Sequence, residues 1–216
     1  MPAAEIQGGA KSRTLPTSVP ASVSVTALSA LRAATWPCHQ RLEKRLDVKH
    51  RFADRSAYGS HLARMWGFCA GLELSIDTQC LRPALEDYPL RGKLPWLESD
   101  LRALGYSMAA IVQLPACQGF TFCIDTATAF GRLYVLEGAS LGGRTLLPQV
   151  YKHLGCSPES GAAFLASYGA NVQAMWQRFG AALDAWCTSP ERTALATSAA
   201  IATFEELELW LCGDGP

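Results

Sequence analysis

The sequence lacks the features that mark several large classes of protein. It contains no continuous run of about 18 apolar residues, so no segment is predicted to span a membrane. Lys+Arg and Asp+Glu number 19 each, and this balance argues against a broad surface for nucleic acid or an anionic membrane. No Cys-x-x-Cys pair occurs among the 8 cysteines, so a structural zinc site has little support.

The cysteines are widely scattered, and no export signal is evident. Residues 1–25 are rich in Ala, Ser, Thr, Pro and Gly and lack the continuous apolar core of a secretory signal. We therefore expect reduced cysteines, most of them buried, in a cytoplasmic protein.

Strand signals are also scarce, because alternating patterns and hairpin dipeptides are rare along the chain. Helical spacing of apolar residues dominates, in a chain that is 49% hydrophobic and long enough for one domain. The sequence predicts a single all-α domain at residues 23–212, with a flexible tail at 1–22 and a short tail at 213–216. Predicted helices cover about 23–47, 56–82, 96–105 and 120–154, the last interrupted or bent by its glycines and Pro148.

The last two predicted helices share a start signal. Residues 157–159 and 189–191 both read Ser-Pro-Glu, which puts a capping hydroxyl before the helix, proline in its first position and an acid in its first turn. These starts predict helices that end at about Cys187 and Cys212.

A helical run at residues 131–143 carries an unusual number of glycines. Each interior glycine costs a helix about 1 kcal/mol relative to alanine. At about 100° per residue, four of these residues fall along one face: Gly131, Tyr134, Gly138 and Gly142. A face without β-carbons allows either close helix packing or a flat ligand against the backbone, and the spacing alone leaves both open.

A second informative segment surrounds His39. Thr35 and Glu43 lie four residues away and Arg32 seven, so a helix puts all four on about the same face. A carboxylate near the ring suits a histidine that binds a metal ion, although the same pair is common on solvated helix faces. Pro37 is expected to kink this helix because it removes a backbone donor.

Together the two segments resemble the haem oxygenases. The first reads Leu-Arg-x-Ala-Thr-x-x-x-His-x-x-Leu-Glu from Leu31, and the second reads Leu-Tyr-Val-Leu-Glu-Gly-x-x-Leu-Gly-Gly from Leu133. Residues 203–211 also resemble the last helix of the bacterial branch that is often paired with bacteriophytochromes. The resemblance covers about residues 25–212 and implies a helical bundle with haem between a proximal helix and a kinked, glycine-rich distal helix.

The resemblance also implies roles for individual residues. His39 matches the proximal ligand of the haem iron, with Glu43 and Thr35 beside it. Arg32 matches a basic residue for a haem propionate, and Tyr134 matches a tyrosine near the propionate edge. Arg178 is a second propionate partner by a loose match. The distal helix contributes Gly138, Gly142 and Gly143.

One position departs from the animal enzymes of the family. Ala139 stands where those enzymes carry an aspartate that organises distal water, and bacterial relatives can lack it. Ser140 is a candidate replacement, although a helical serine more often bonds its own i−4 carbonyl.

The implied reaction is oxidative opening of haem to biliverdin, CO and iron, with haem as both cofactor and substrate. It consumes O2 and electrons from an external donor, and a ferredoxin-like acidic protein suits the basic patch formed by Arg32, Arg41, Lys44 and Arg45. A bacteriophytochrome that receives biliverdin is implied by the resemblance only.

Two alternatives keep the helical fold. One is a haem carrier or sensor without turnover, which Ala139 favours. The other is a thiaminase-like enzyme with Cys117 or Cys123 as nucleophile and a late acid such as Glu205, which needs a thiol of depressed pKa.

Overall fold

The computed structural model describes residues 26–213, and in this range it contains ten α-helices and no β-strand. The predicted tail at 1–22 and residues 214–216 lie outside the described residues, so the predicted domain boundaries stay predictions. The helices are α1 (Ala27–Leu46), α2 (Val48–Arg51), α3 (Arg55–Leu74), α4 (Thr78–Leu81), α5 (Leu94–Ala103), α6 (Met108–Val112), α7 (Thr126–Leu154), α8 (Ala163–Ala166), α9 (Val172–Trp186) and α10 (Pro190–Cys212). The all-α prediction is confirmed.

Three of the long helices begin at side-chain caps that the sequence supplies. Thr26 caps α1 and Asp125 caps α7, each by accepting a hydrogen bond from the backbone N–H three residues later. Ser189 does the same for α10, with Pro190 in the first position. Such caps satisfy N–H groups that have no partner inside the helix. The predicted start of the last helix, and its end at Cys212, are confirmed.

The prediction of a helix that starts at residue 157 is wrong. The Ser157 hydroxyl donates to the Glu159 carboxylate (2.8 Å), and the Ser157 backbone closes a tight turn with Ser160. The chain becomes helical only at α8, where the buried Asp100 carboxylate accepts the first two backbone N–H groups (2.7 and 2.8 Å). Only the later part of the predicted helix exists, as α9.

Two other predictions about helix ends need correction. The second long helix, α3, stops at Leu74, and the one-turn α4 follows separately. For residues 120–154 the sequence predicts a helix with an interruption or a bend; α7 runs for 29 residues through its glycines and Pro148 without an interruption, and the bend stays a prediction. Packing on α8, α9 and α10 supports this helix despite its low intrinsic propensity. The first helix, α1, also continues through Pro37, and the kink expected there stays a prediction.

The last helix, α10, packs against both α1 and α7. Along α1 the contacts advance in the same direction as along α10: His39 lies against Phe204, and Arg41 and Arg45 bond to Glu208. The helices α1 and α10 are therefore parallel neighbours, and α10 joins the segments that carry the two sequence motifs.

The helix α9 covers another side of α7. The aromatic contacts Phe130–Phe179 and Tyr134–Trp176 advance in opposite directions along the two helices, so α7 and α9 are antiparallel. Phe130 and Phe179 are fully buried, and burial of one such side chain contributes about 1.5–3 kcal/mol. No helix among residues 26–213 is long and apolar enough to cross a membrane.

Candidate functional site

His39 lies on the outer face of α1 with its side chain 46% exposed. Its Nδ1 atom is 3.4 Å from Oε2 of Glu43, one helical turn later. A carboxylate at Nδ1 favours the tautomer that leaves a lone pair on Nε2, the nitrogen that then remains able to bind a metal ion. The predicted pairing of these two side chains is therefore present.

Two aromatic side chains that the sequence reasoning missed frame the imidazole. Trp36 stacks almost parallel to the ring, with centroids 5.8 Å apart and an interplanar angle of 9°. Phe204 of α10 meets the ring edge-on at 6.1 Å. Trp36 stands three residues before His39, a helical spacing that points to contact, but Phe204 is far along the chain and gives no sequence signal. These contacts limit the orientations open to the ring.

Thr35 and Tyr134 connect the two predicted halves of the site. Their hydroxyl oxygens lie 3.4 Å apart in a hydrogen bond, and both residues are buried. The Tyr134 ring also packs against Trp176 of α9 at 5.7 Å. His39 follows Thr35 by one turn on α1, and Gly138 follows Tyr134 by one turn on α7. The candidate residues of both helices therefore lie close to a single contact.

The glycines of α7 divide into two kinds. A Cβ placed on Gly131 would lie 2.1 Å from the backbone oxygen of Ala196, and one on Gly143 would lie 2.9 Å from that of Leu165. These two glycines permit close packing. A Cβ on Gly138 or Gly142 would meet no atom of the described residues within 4 Å. Only these two present bare backbone to open space.

Ser140 lies between the open glycines but does not offer a free proton. Its hydroxyl is buried and donates to the backbone oxygen of Leu136, one turn earlier in the same helix (3.1 Å). This is the local bond that competes with any other role of a helical serine. Ala139 provides no polar group, so this part of α7 has no side chain ready to transfer a proton.

The two candidate propionate partners lie on different helices. Arg32 is exposed on α1, two turns before His39. Arg178, on α9, is 61% exposed; its Nε lies 3.7 Å from Oδ2 of Asp87, and its Nη2 contacts the sulfur of Met175. The structure shows no contact that joins the two arginines, and both retain exposed cationic groups.

The basic patch on α1 is weaker than its composition suggests. Arg41 and Arg45 both bond to the buried carboxylate of Glu208 on α10, at 2.6 and 2.7 Å. These bonds lower the pKa of Glu208, with Arg45 as the larger cause. Arg32 and Lys44 carry the cations of this patch that have no ion pair among residues 26–213.

The sequence reasoning also missed a buried group of charges behind α7. The Glu137 carboxylate, immediately before Gly138, accepts hydrogen bonds from Arg91 (2.6 Å), Lys93 (2.9 Å) and Tyr168 (2.7 Å). Burial lowers the pKa of Lys93, and Glu137 partly offsets this effect. We call these four residues the Glu137 cluster. Its members come from distant parts of the chain, so only the position of Glu137 inside the glycine motif gave any signal.

The cysteines named in the thiaminase-like alternative are poorly suited to nucleophilic attack. Cys117 is buried, its thiol donates to Glu206 (3.0 Å), and burial raises its pKa to about 12. Cys123 is also buried, with its thiol against the backbone oxygen of Asp125. Since the thiolate is the reactive form, a raised pKa opposes this chemistry. Glu205 is exposed on α10.

Comparisons of this chain with a family model, with curated sequences and with solved structures all find heme oxygenases. The family model described as "Heme oxygenase" matches residues 25–211. A curated "Heme oxygenase" of Xanthomonas campestris pv. campestris (strain 8004) is 29% identical over 164 residues, which cover 74% of this chain and 92% of that protein. Among solved structures, the NO- and CO-bound heme oxygenase of Neisseria meningitidis has a TM-score of 0.72 at 23% identity, covering 87% and 91% of the two chains. The heme oxygenase of Leptospira interrogans has a TM-score of 0.67 at 14% identity, covering 87% and 98%.

Proposed function

The chain belongs to the haem oxygenase family and is a haem-degrading oxidoreductase, and we propose that His39 is its iron ligand and biliverdin its product. One observation carries the assignment of the site. The His39–Glu43 pair leaves Nε2 free on a half-exposed ring, one turn from the contact that joins α1 to the glycine-bearing α7. The other products are CO and iron.

The residues present fit a haem group. Bare backbone at Gly138 and Gly142 leaves space where a Cβ would otherwise project, which suits the flat face of a macrocycle. The imidazole of His39 supplies a nitrogen ligand of the type that haem iron takes. When bound, haem supplies the iron that activates O2 and also the ring that is opened.

The α1 residues hold and orient the ligand. The Glu43 carboxylate lies 3.4 Å from Nδ1 of His39, a position that favours a proton on Nδ1 and leaves Nε2 as the coordinating nitrogen. Trp36 and Phe204 restrict rotation of the ring. Thr35 holds Tyr134 at the junction with α7, where Tyr134 sets the edge of the site.

The propionates are held by cations at the rim. Arg32 on α1 and Arg178 on α9 have exposed guanidinium groups that suit carboxylates, and Tyr134 is assigned to the propionate edge. By neutralising these carboxylates, Arg32 and Arg178 would fix how the macrocycle is rotated and therefore which ring carbon is opened.

Proton delivery falls to ordered water beside Gly138 and Gly142. Ala139 has no polar group, and Ser140 holds its proton at the Leu136 oxygen, so Ser140 serves as a wall of the site. Gly138 and Gly142 would place bare backbone against the bound ligand, while Gly143 keeps α7 close to Leu165. Water that bridges such groups is nearly as effective as a direct hydrogen bond.

We propose an acidic redox protein, ferredoxin-like in chemistry, as the electron donor. Lys44 supplies a cation of the basic patch that has no ion pair among residues 26–213, since Arg41 and Arg45 are bonded to Glu208 and Arg32 is assigned to the propionates. A bacteriophytochrome that receives biliverdin rests on the sequence resemblance alone. All eight cysteines lie in the described residues and are free thiols, which supports a reducing, cytoplasmic location.

Titration with hemin, followed by turnover, tests the proposal. The wild-type protein is expected to give a Soret band at one equivalent and, with ascorbate and O2, the spectrum of biliverdin. His39→Ala should lower turnover by more than about 100-fold, because the iron loses its protein ligand.

His50→Ala serves as the control, since His50 is an exposed histidine outside the site. It should behave as the wild type. Normal ligation and turnover in His39→Ala would contradict the assignment of His39. A Soret band that survives ascorbate and O2 in the wild type would point to a haem carrier or sensor instead.

A further inference from the structure

The Glu137 cluster holds the distal helix from the side that faces away from the open glycines. The Glu137 carboxylate accepts from Arg91, Lys93 and Tyr168 at 2.6, 2.9 and 2.7 Å, and its side chain is 1% exposed. Successive helical residues are turned by about 100°, so Glu137 and the adjacent Gly138 point in different directions. One is bound to the protein interior, and the other faces open space.

Stability alone does not account for so many buried charges at one point. Arg91, Lys93 and Glu137 are all almost completely buried. Removing charges from water is unfavourable, and a buried ion pair is often no more stabilising than apolar residues of the same volume. What such a pair does provide is direction, because each hydrogen bond defines the position of both partners.

A second hold on the same stretch comes from the segment 163–171, which we call the backing segment. Its Leu165 backbone packs on Gly143, where a Cβ would lie only 2.9 Å from the Leu165 oxygen. Its Tyr168 donates to Glu137 and accepts from Lys93 (2.7 Å). The backing segment therefore meets α7 at both ends of the stretch that contains the open glycines.

The backing segment is itself fixed in place. Asp100 of α5 is fully buried and accepts the backbone N–H groups of Ala163 and Phe164 at 2.7 and 2.8 Å. Ser167 has a φ of 49°, a left-handed conformation that a serine keeps only when its surroundings require it. A segment held this firmly acts as a fixed support for α7.

The cluster also reaches the rim of the site. Asp87 accepts two hydrogen bonds from Arg91 (2.7 and 2.9 Å) and lies 3.7 Å from Arg178, a candidate propionate partner. One connected set of charges thus links Glu137, next to Gly138, to Arg178 on α9.

We propose that Glu137 is a positioning residue: with Lys93 and Tyr168 it fixes the rotation and depth of α7 at Gly138 and so sets how closely the distal backbone approaches the ligand. The proposal rests on the proposed function, because it takes Gly138 and Gly142 as the distal wall of a haem site. Glu137 touches neither haem nor O2 in this account. It acts through the helix that it holds.

A charge-neutral double variant separates positioning from folding. Glu137→Gln alone leaves the buried Lys93 cation without its carboxylate and should lower the free energy of unfolding. Lys93→Met together with Glu137→Gln removes one charge of each sign, while Arg91 keeps Asp87 as its partner. Stability should then largely return toward that of the wild type.

The readouts are the C–O stretching frequency of the ferrous CO complex, the biliverdin isomer ratio, and turnover compared with the hemin Kd. The first reports the distal surroundings directly. Both the single and the double variant should show a shifted or broadened C–O band, a changed isomer ratio and turnover about 10-fold to 100-fold lower. The hemin Kd should change much less, since His39 is untouched.

Two further variants protect the test. Tyr168→Phe removes the hydrogen bonds of the hydroxyl to Glu137 and from Lys93 but leaves the Lys93–Glu137 bond and the ring that packs on Trp96, so it should fold and show smaller shifts in the same direction. Arg132→Met is the matched control: it removes a set of hydrogen bonds to Ser75 and Thr121 from the same helix, well before Gly138. It should lower stability and leave the C–O band and isomer ratio as in the wild type.

The results distinguish the two levels of the account. A wild-type protein that does not bind or degrade haem would contradict the proposed function. A functional wild type, with the C–O band, isomer ratio and turnover unchanged in the stable double variant and in Tyr168→Phe, would overturn the positioning role of Glu137 alone.

Discussion

The two helices that carry the candidate site are held in opposite ways. On α1, the candidate ligand His39 is half exposed, and the nearby ties are ion pairs in which Arg41 and Arg45 are themselves 46% and 51% exposed. On α7, residues 133–137 are all buried, and the tie at Glu137 is completely interior. Helix α1 presents exposed side chains, whereas α7 presents backbone at Gly138 and Gly142 whose position is set by the buried contacts of Glu137.

The two helices therefore contribute differently to the candidate site: α1 to ligation and partner binding, and α7 to its shape. A change on α1 acts on ligation or on partner binding and should have little effect on folding, because exposed positions contribute little to stability. A change on α7 acts on folding and on the shape of the distal wall together. Substitutions on the two helices should therefore separate loss of ligation from loss of stability.

The same substitution at two glycines of α7 should give opposite results. Gly142→Ala should raise the free energy of unfolding by about 1 kcal/mol, because alanine favours helix and its Cβ meets no atom of the described residues within 4 Å. It should also lower haem turnover by more than about tenfold, since the methyl group enters the distal space. Chemical denaturation and single-turnover assays measure the two effects.

Gly131→Ala provides the comparison. Its Cβ would collide with the Ala196 backbone, so stability should fall by about 1–3 kcal/mol while turnover of the folded protein stays normal. Equal effects of the two substitutions on turnover would remove the distinction between open and packing glycines.

Acidification should change the contributions of two carboxylates to stability in opposite directions: Asp100 behind α7 and Glu208 beside α1. Burial raises the pKa of Asp100, which holds the backing segment behind α7, to about 6. Its folded form therefore binds a proton more readily than the unfolded chain, and its contribution to stability decreases as pH rises from about 4 to 6. Arg45 and Arg41 lower the pKa of Glu208, so that carboxylate's contribution is present above its unfolded pKa and is lost as pH falls.

Stability curves between pH 3 and 7 measure this difference. Asp100→Asn should make the slope of unfolding free energy against pH more positive between pH 4 and 6, by up to about 1.4 kcal/mol per pH unit. Glu208→Gln should reduce the loss of stability in acid. Parallel curves for Asp100→Asn and the wild type would show that Asp100 ionises normally.

The smallest effect is expected on the exposed face of α1. Lys44→Ala should slow electron delivery from an acidic ferredoxin by about twofold at low salt, and less at high salt, because a rim charge changes mainly the association rate. Stopped-flow reduction of the haem complex measures this rate. Lys152→Ala, an exposed cation at the far end of α7, should leave it unchanged. Equal slowing by both variants would indicate that net charge, not this face, governs the encounter.

Local sequence signals predicted the helices well where no distant contact competed with them. Residues 189–191 and 157–159 are the same tripeptide, yet only Ser189 caps a long helix. Ser157 instead bonds Glu159. The next helix begins only at Ala163, where its backbone N–H donates to Asp100 from another part of the chain. The tripeptide therefore specifies a turn, and tertiary contacts decide whether a helix follows.

Local sequence signals also revealed only part of the candidate site. The His39–Glu43 pair was predictable because the two residues need only a helix to be brought together. The glycines of α7 look equivalent in sequence, and only their neighbours Ala196 and Leu165 divide them into packing and open positions. The partners of Glu137 are far from it along the chain, so no local pattern could reveal the cluster.

A crystal structure of the protein in complex with ferric haem would show directly which residues hold the ligand. We expect Nε2 of His39 to bind the iron while Nδ1 stays beside Glu43, with Gly138 and Gly142 over the opposite face of the macrocycle. Iron bound by another residue, or haem seated away from these glycines, would contradict this assignment of the site.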